Sequence, residues 1–139
     1  MRTVKFRGRR LDNGKWEYGD LLQYDDGSVC IGVHSKNYTD DGFNAGQYLR
    51  IALVDEDTVG QYVEMNDTNG NDIYEGDIVN YVYCGFDRRG EVRYDNSLCG
   101  FDFIDKDGLL TIISSYEART YCIIGNIHDN PELLKGGQQ

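Results

Sequence analysis

Four groups of residues have the types and spacing from which chemistry is built. Glu75 and Asp77, in Tyr74-Glu75-Gly76-Asp77, stand two positions apart, as a carboxylate pair does when it divides general acid and base roles. Asp67-x-Asn69-x-Asn71 has the oxygen spacing that opens a calcium loop, and Asp55-Glu56-Asp57 offers a cation three adjacent carboxylates. Cys30, Cys84, Cys99 and Cys122, with His34 and His128, are the ligand types of a zinc site. Each group also has a plainer structural reading. The calcium spacing fails at the sixth position, Asp72 where the loop needs Gly, and at the twelfth, Ile78 where it needs Glu. Asp55-Glu56-Asp57 reads as a solvated turn closing a strand from Tyr48 to Val54. The cysteines contain no Cys-x-x-Cys pair and read as buried free thiols in a reducing compartment. No Ser/His, Cys/His or Lys nucleophile pattern accompanies Glu75 and Asp77, so Gly76 and Asp77 read as a turn with Tyr74 packed on the sheet beside it. The expectation is a chain that is not an enzyme, with no catalytic residue, metal or cofactor.

Binding is the better expectation. The chain has 11 Tyr, more than a core of this size needs, and Tyr suits surfaces that use an apolar body and a polar tip together. Tyr38 and Phe43, in the polar stretch His34 to Gln47, are the first binding candidates, and Tyr74, Glu75 and Asp77 the next. Charge is unevenly placed. Arg2, Lys5, Arg7, Arg9 and Arg10 lie in the first ten residues with no acid among them, so the remaining 129 carry −15 of a total of −10. Val4 and Phe6 alternate with Thr3, Lys5 and Arg7, giving a strand with one apolar and one cationic face. These cations are expected against the acidic part of the fold or against a neighbouring subunit. Direct nucleic-acid binding ranks last, because the acidic body repels phosphate over a Debye length of roughly 8 Å.

The elements that must position these residues are strands. With 17 Gly, one Pro and abundant Tyr among 139 residues, the composition suits short strands and tight turns and excludes a coiled coil, a helical bundle or a disordered tail. No apolar run approaches the roughly 20 residues of a membrane helix, and no apolar segment follows the N-terminal charges to make a secretory signal. Asn13-Gly14, Asp26-Gly27, Asn69-Gly70, Asp87 to Gly90 and Asp105 to Gly108 read as hairpin turns. His34 to Gln47 reads as a long polar loop, Tyr121 to Ile127 as the last strand, and Asn130-Pro131-Glu132 as the start of one helical turn. Asn13 to Tyr24 echoes Asn69 to Tyr81, each with Asn-Gly, Tyr, Gly-Asp, two aliphatics and Tyr, which suggests two related β units. The expected fold is all-β and mainly antiparallel, with two small SH3-like barrel-type units. Residues 1–135 form one domain divisible into 1–57 and 58–135, and 136–139 fray.

Thr58-Val59-Gly60-Gln61-Tyr62, Asp67-x-Asn69-Gly70, Ile73 to Val79 and the closing Ile124-Gly125-Asn126-Ile127-His128-Asp129-Asn130-Pro131-Glu132-Leu133-Leu134 together resemble the YopX family of phage and prophage proteins. Lys5-Phe6-Arg7-Gly8 and the Trp16 to Tyr24 strand resemble that family's N-terminus; Val63-Glu64 departs from its usual Thr-Gly. The resemblance implies a small-barrel, self-associating protein encoded by a phage or integrated element and working in the host cytoplasm, and it brings no catalytic residues. The leading expectation is an accessory protein that binds itself and an unknown host or phage protein. The alternatives are an acidic phosphate mimic that occupies a host nucleic-acid-binding protein, and a small-ligand or nucleotide binder.

Overall fold

The computed structural model describes the backbone of residues 1–38 and 44–135 and the side chains of 1–33 and 50–135. It contains β1 (Phe6–Arg10), β2 (Trp16–Gln23), β3 (Val29–Tyr38), β4 (Asn44–Asn66), β5 (Asp72–Tyr74), β6 (Asp77–Tyr83), β7 (Phe86–Asp95), β8 (Gly100–Asp105), β9 (Leu110–Ile112) and β10 (Cys122–Asn126). Two single 3-10 turns, Ala118–Thr120 and Pro131–Leu133, are its helical elements. The strands form two sheets, β1-β2-β3-β4-β5 and β10-β6-β7-β8-β9, antiparallel throughout the described pairings. The mainly antiparallel β class read from the sequence is therefore the class of the fold. Among the described residues no helix is long and apolar enough to cross a membrane. The chain falls into two compact units, Thr3–Gln61, and Tyr62–Gln139 with Met1–Arg2.

In the first unit β1 to β4 follow one another as hairpin neighbours, and β1 pairs with β4 as well as β2, so the four strands close on themselves. Inside lie Val29, Ile31 and Val54, with Phe6, Leu21, Val33 and Val59 against them. Closure requires β4 to bend. Arg7 faces Gly60 while Arg9 faces Asp55, so the four residues Glu56 to Val59 oppose Gly8 alone. The bend is tied by side chains: the Asp57 N–H donates to Asp55 Oδ1 (3.0 Å), the Thr58 hydroxyl to the Asp55 carbonyl (2.6 Å), and the Arg9 N–H to Thr58 Oγ1 (2.9 Å). Asp55-Glu56-Asp57 is thus a bend within a strand and not the turn that ends one. Gly8 is required there, since a Cβ would meet Val54 Cγ2 at 2.9 Å. The expected loop His34 to Gln47 is also corrected. β3 and β4 continue to pair into it, from His34 opposite Leu49 to Lys36 opposite Gln47 and, after a register shift, Tyr38 opposite Asn44, because ladder hydrogen bonds need no apolar alternation.

The arginines of the first strand find partners close by. Arg7 and Arg9 flank the Trp16 ring, with guanidinium carbons 4.7 and 5.6 Å from its centre, and this stacking buries Arg7 on the face expected to be open. Arg10 forks onto Asp12 at 2.7 and 2.8 Å and reaches Glu17 at 2.8 Å, while Arg50 grips the same Glu17 with two bonds of 2.9 Å. The hydrogen bonds from Arg50 first, and then Arg10, outweigh burial and lower the Glu17 pKa from 4.5 to about 2. A lowered native pKa stabilises the fold above the unfolded value and is lost on acidification. We expect Glu17→Gln to cost about 1–2 kcal/mol at pH 7. In urea titrations the gap between wild type and variant should hold above about pH 5 and close as the pH falls towards 2. A gap unchanged at pH 2.5 would contradict this account.

In the second unit the β10-β6-β7-β8-β9 sheet encloses Val79, Tyr81, Val92, Phe103 and Tyr121, joined by Val63 of β4 and Ile73 of β5. Tyr81 stacks on Phe103 at 4.4 Å between ring centres, and Tyr121 meets Phe103 edge-on at 5.0 Å. The turn from β6 to β7 is Cys84-Gly85, with φ of 51° and 82°, and not Asp87 to Gly90. Two positive φ values make the type I′ turn that fits strand twist. Gly90 lies inside β7, where a Cβ would meet Phe103 Cβ and Tyr81 Cε1 at 3.0 Å. The two halves of the sequence echo also part company: Gly19 is inside β2, whereas Gly76 turns the chain between β5 and β6 at φ 90°.

Candidate functional site

Tyr74 is buried, its ring 5.7 Å from that of Tyr62, and Asp77 is buried with Oδ2 accepting the Tyr74 N–H at 2.8 Å. Glu75 is half-buried in the turn that this bond closes. The backbone of Tyr38 is at the end of β3, and its side chain and the whole of Phe43 lie outside the described residues. Of the N-terminal cations, Arg2 pairs with Glu64 at 3.1 Å and Lys5 precedes β1; the other three occupy β1 as above. The calcium-like stretch is a turn held by one carboxylate. Buried Asp67 accepts the Asn69, Asn71 and Ile123 N–H groups at 2.9–3.0 Å. Burial pushes its pKa up, and these bonds, Ile123 first, more than reverse that and hold it below the usual carboxylate range. Among the described residues no three His, Cys, Asp or Glu side chains gather as metal ligands. The four cysteines are free; Cys30 alone is fully buried, while Cys84 and Cys99 are exposed at positive-φ turn positions.

Two surface features of the second unit stand apart from the rest. The first is a charged cleft of about 290 Å³ between the start of β7 and the β8–β9 turn, closed on one side by the C-terminal 3-10 turn. Asp87, Arg88 and Arg89 line one wall, Asp105, Lys106 and Asp107 another, and Leu133 and Leu134 the third. A second recess of about 470 Å³ shares Asp87, Arg88 and Arg89 and adds Asn80 and Ile124. Asp105 Oδ2 takes Arg88 Nη1 at 3.1 Å, while its Oδ1 accepts the Asp107 and Leu109 N–H groups, fixing the turn. Arg88 also lies 5.5 Å over the Tyr83 ring. Arg89 donates to the Leu133 carbonyl at 3.3 Å. Gly125 lets the C-terminal turn approach, because a Cβ would meet Asn130 Oδ1 at 2.6 Å and Leu133 Cδ1 at 2.8 Å. Farther along β7, Arg93 Nε donates to fully buried Asp102 at 3.0 Å; burial, first, raises the pKa of that carboxyl.

The second feature is the free side of β9. This strand ends the sheet order, and its described pairing is with β8 alone. Leu110 and Ile112 leave 46% and 68% of their surface in solvent, and Tyr116, just beyond, is 83% exposed. Neither feature was legible as a site in the sequence: Arg88, Arg89 and Lys106 sat in stretches read as turns, and Tyr116 had no pattern around it.

The chain is similar in fold to a solved protein. It matches the crystal structure of protein EF1440 from Enterococcus faecalis with a TM-score of 0.61 and 22% identity, over 97% of this chain and 100% of that one, which establishes likeness of fold. None of the curated proteins matches it. The family model described as YopX protein matches residues 5–135, nearly the full length, so the chain belongs to the YopX family.

Proposed function

We propose that this chain acts by binding, as a homo-oligomer, and serves as an accessory protein of a phage or prophage in the bacterial cytoplasm. The observation that carries the reading is the open β9 edge. A strand edge offers unpaired N–H and C=O groups to another chain, and natural folds usually guard it with charge, Pro or a cover. Here the three edge residues are Leu110, Thr111 and Ile112, two of them exposed and apolar. Antiparallel pairing of β9 with β9 of a second copy would be two-fold symmetric and would run two five-stranded sheets into one.

Light scattering on the full chain is the test. Wild type should exceed the 15.9 kDa monomer mass at tens of micromolar, and Ile112→Lys should move it towards the monomer with an unchanged circular dichroism spectrum. Ile112 is mostly solvent-exposed, so the substitution does not disturb the core. A strictly monomeric wild type at 100 µM would overturn the reading.

A further inference from the structure

We infer that the cleft at Arg88, Arg89 and Lys106 binds a peptide segment bearing a single carboxylate flanked by apolar residues. This names a partner class within the binding reading above. Three cations and three carboxylates line the cleft, but they are not equally engaged. Asp105 holds Arg88 and anchors the turn. Arg89 keeps one bond, to a neutral carbonyl, and among the described residues Lys106 makes no ion pair. The available positive charge is therefore a guanidinium fork and an ammonium on adjacent walls, a pairing that recognises a carboxylate in two-pronged fashion.

The remaining lining sets the class more narrowly. Asp87 and Asp107 share the cleft, and the chain carries −10 overall, so a phosphate dianion meets about twice the repulsion that a monoanion does, and a polyphosphate more. Leu133 and Leu134 give an apolar neighbour somewhere to pack, and Ile124 does the same in the adjoining recess beyond Arg89. The first volume is at the small end of ligand clefts, and the two recesses sharing Arg89 give an extended track rather than one deep pocket. An extended peptide with its acid at Arg89 and an apolar residue on each side fits that track.

Two-dimensional NMR on the full chain, titrated with acetyl-Leu-Glu-Leu-amide, decides the matter. Resonances of Arg88, Arg89, Lys106 and Leu134 should shift together and saturate, the glutamine analogue should bind at least ten-fold more weakly, and so should Arg89→Gln and Lys106→Gln proteins. Both variants are at surface positions, and unchanged resonances elsewhere verify their fold. Absence of shifts at 10 mM peptide, equal affinity for the two peptides, or a tighter response at the same residues to inorganic phosphate would each overturn the proposal. Ile112→Lys should bind the peptide as wild type does, so failure here and failure of self-association are told apart.

Discussion

Phe103→Ala is expected to cost about 4 kcal/mol, most of the stability that a unit of this size commands. Phe103 is fully buried at the centre of the second unit and holds two aromatic partners in different ways. Tyr81 lies flat on it and Tyr121 points an edge at it, geometries that each contribute about 0.5–1.5 kcal/mol beyond the area buried. Truncation removes both and leaves a cavity whose walls are strands locked in register, so little relaxation can fill it. Phe103→Leu keeps most of the volume and should cost under half as much. Urea unfolding followed by Tyr fluorescence reads both variants, and a loss below about 1.5 kcal/mol for the alanine would mean that the ring cluster is not the keystone of this unit.

Asp67→Ala is expected to cost about 3 kcal/mol for a different reason. No large volume is lost. Three backbone N–H groups lose their acceptor at once, and the one from Ile123 belongs to β10, 56 positions away, so the carboxylate binds the β4–β5 turn to the edge of the other sheet. Asp67→Asn retains one good acceptor oxygen and should fall between wild type and alanine. Because the native pKa of this carboxyl is depressed, its contribution is present above the ordinary Asp range and is lost as pH falls through the lowered value. The difference between wild type and Asp67→Asn should therefore shrink in acid. Hydrogen exchange offers a local check: the Ile123 amide should lose protection in both variants, more in the alanine.

Turns whose chemistry resides in one residue type were legible. Gly14, Gly27, Gly70 and Gly108 all have positive φ at the hairpin tips read from Asn-Gly, Asp-Gly and the Asp105 to Gly108 run. Where the strained position falls on a non-glycine residue, as at Cys99 (φ 53°), the sequence carries no such mark, and at Cys84-Gly85 (φ 51° and 82°) the Asp87 to Gly90 run drew the turn away from its true place. Polar composition misled twice for one reason: β3, β4 and the Asp55 bend are held by backbone bonds and local caps, which leave no hydrophobic period to read. At the core residues Ile73, Ile78 and Val79 burial and apolarity coincide. The cleft was not legible, since its walls come from β7, the β8–β9 turn and the C-terminal 3-10 turn, and only folding brings Arg89 to the carbonyl of Leu133.

The bend in β4 has a consequence in time. β1 needs residues 54–61 for its second partner, so that edge waits for roughly 50 further residues to leave the ribosome, about 3–10 s at ordinary elongation rates. Its first partner, β2, follows within a dozen residues, so the chain passes through a state with β1 paired on one side only. Arg7 and Arg9 on Trp16 and Arg10 on Glu17 all meet these partners within that early hairpin. The nascent chain thus hides its one strongly basic segment before its other edge can close, and the slow step left is the joining of ends that lie far apart along the chain.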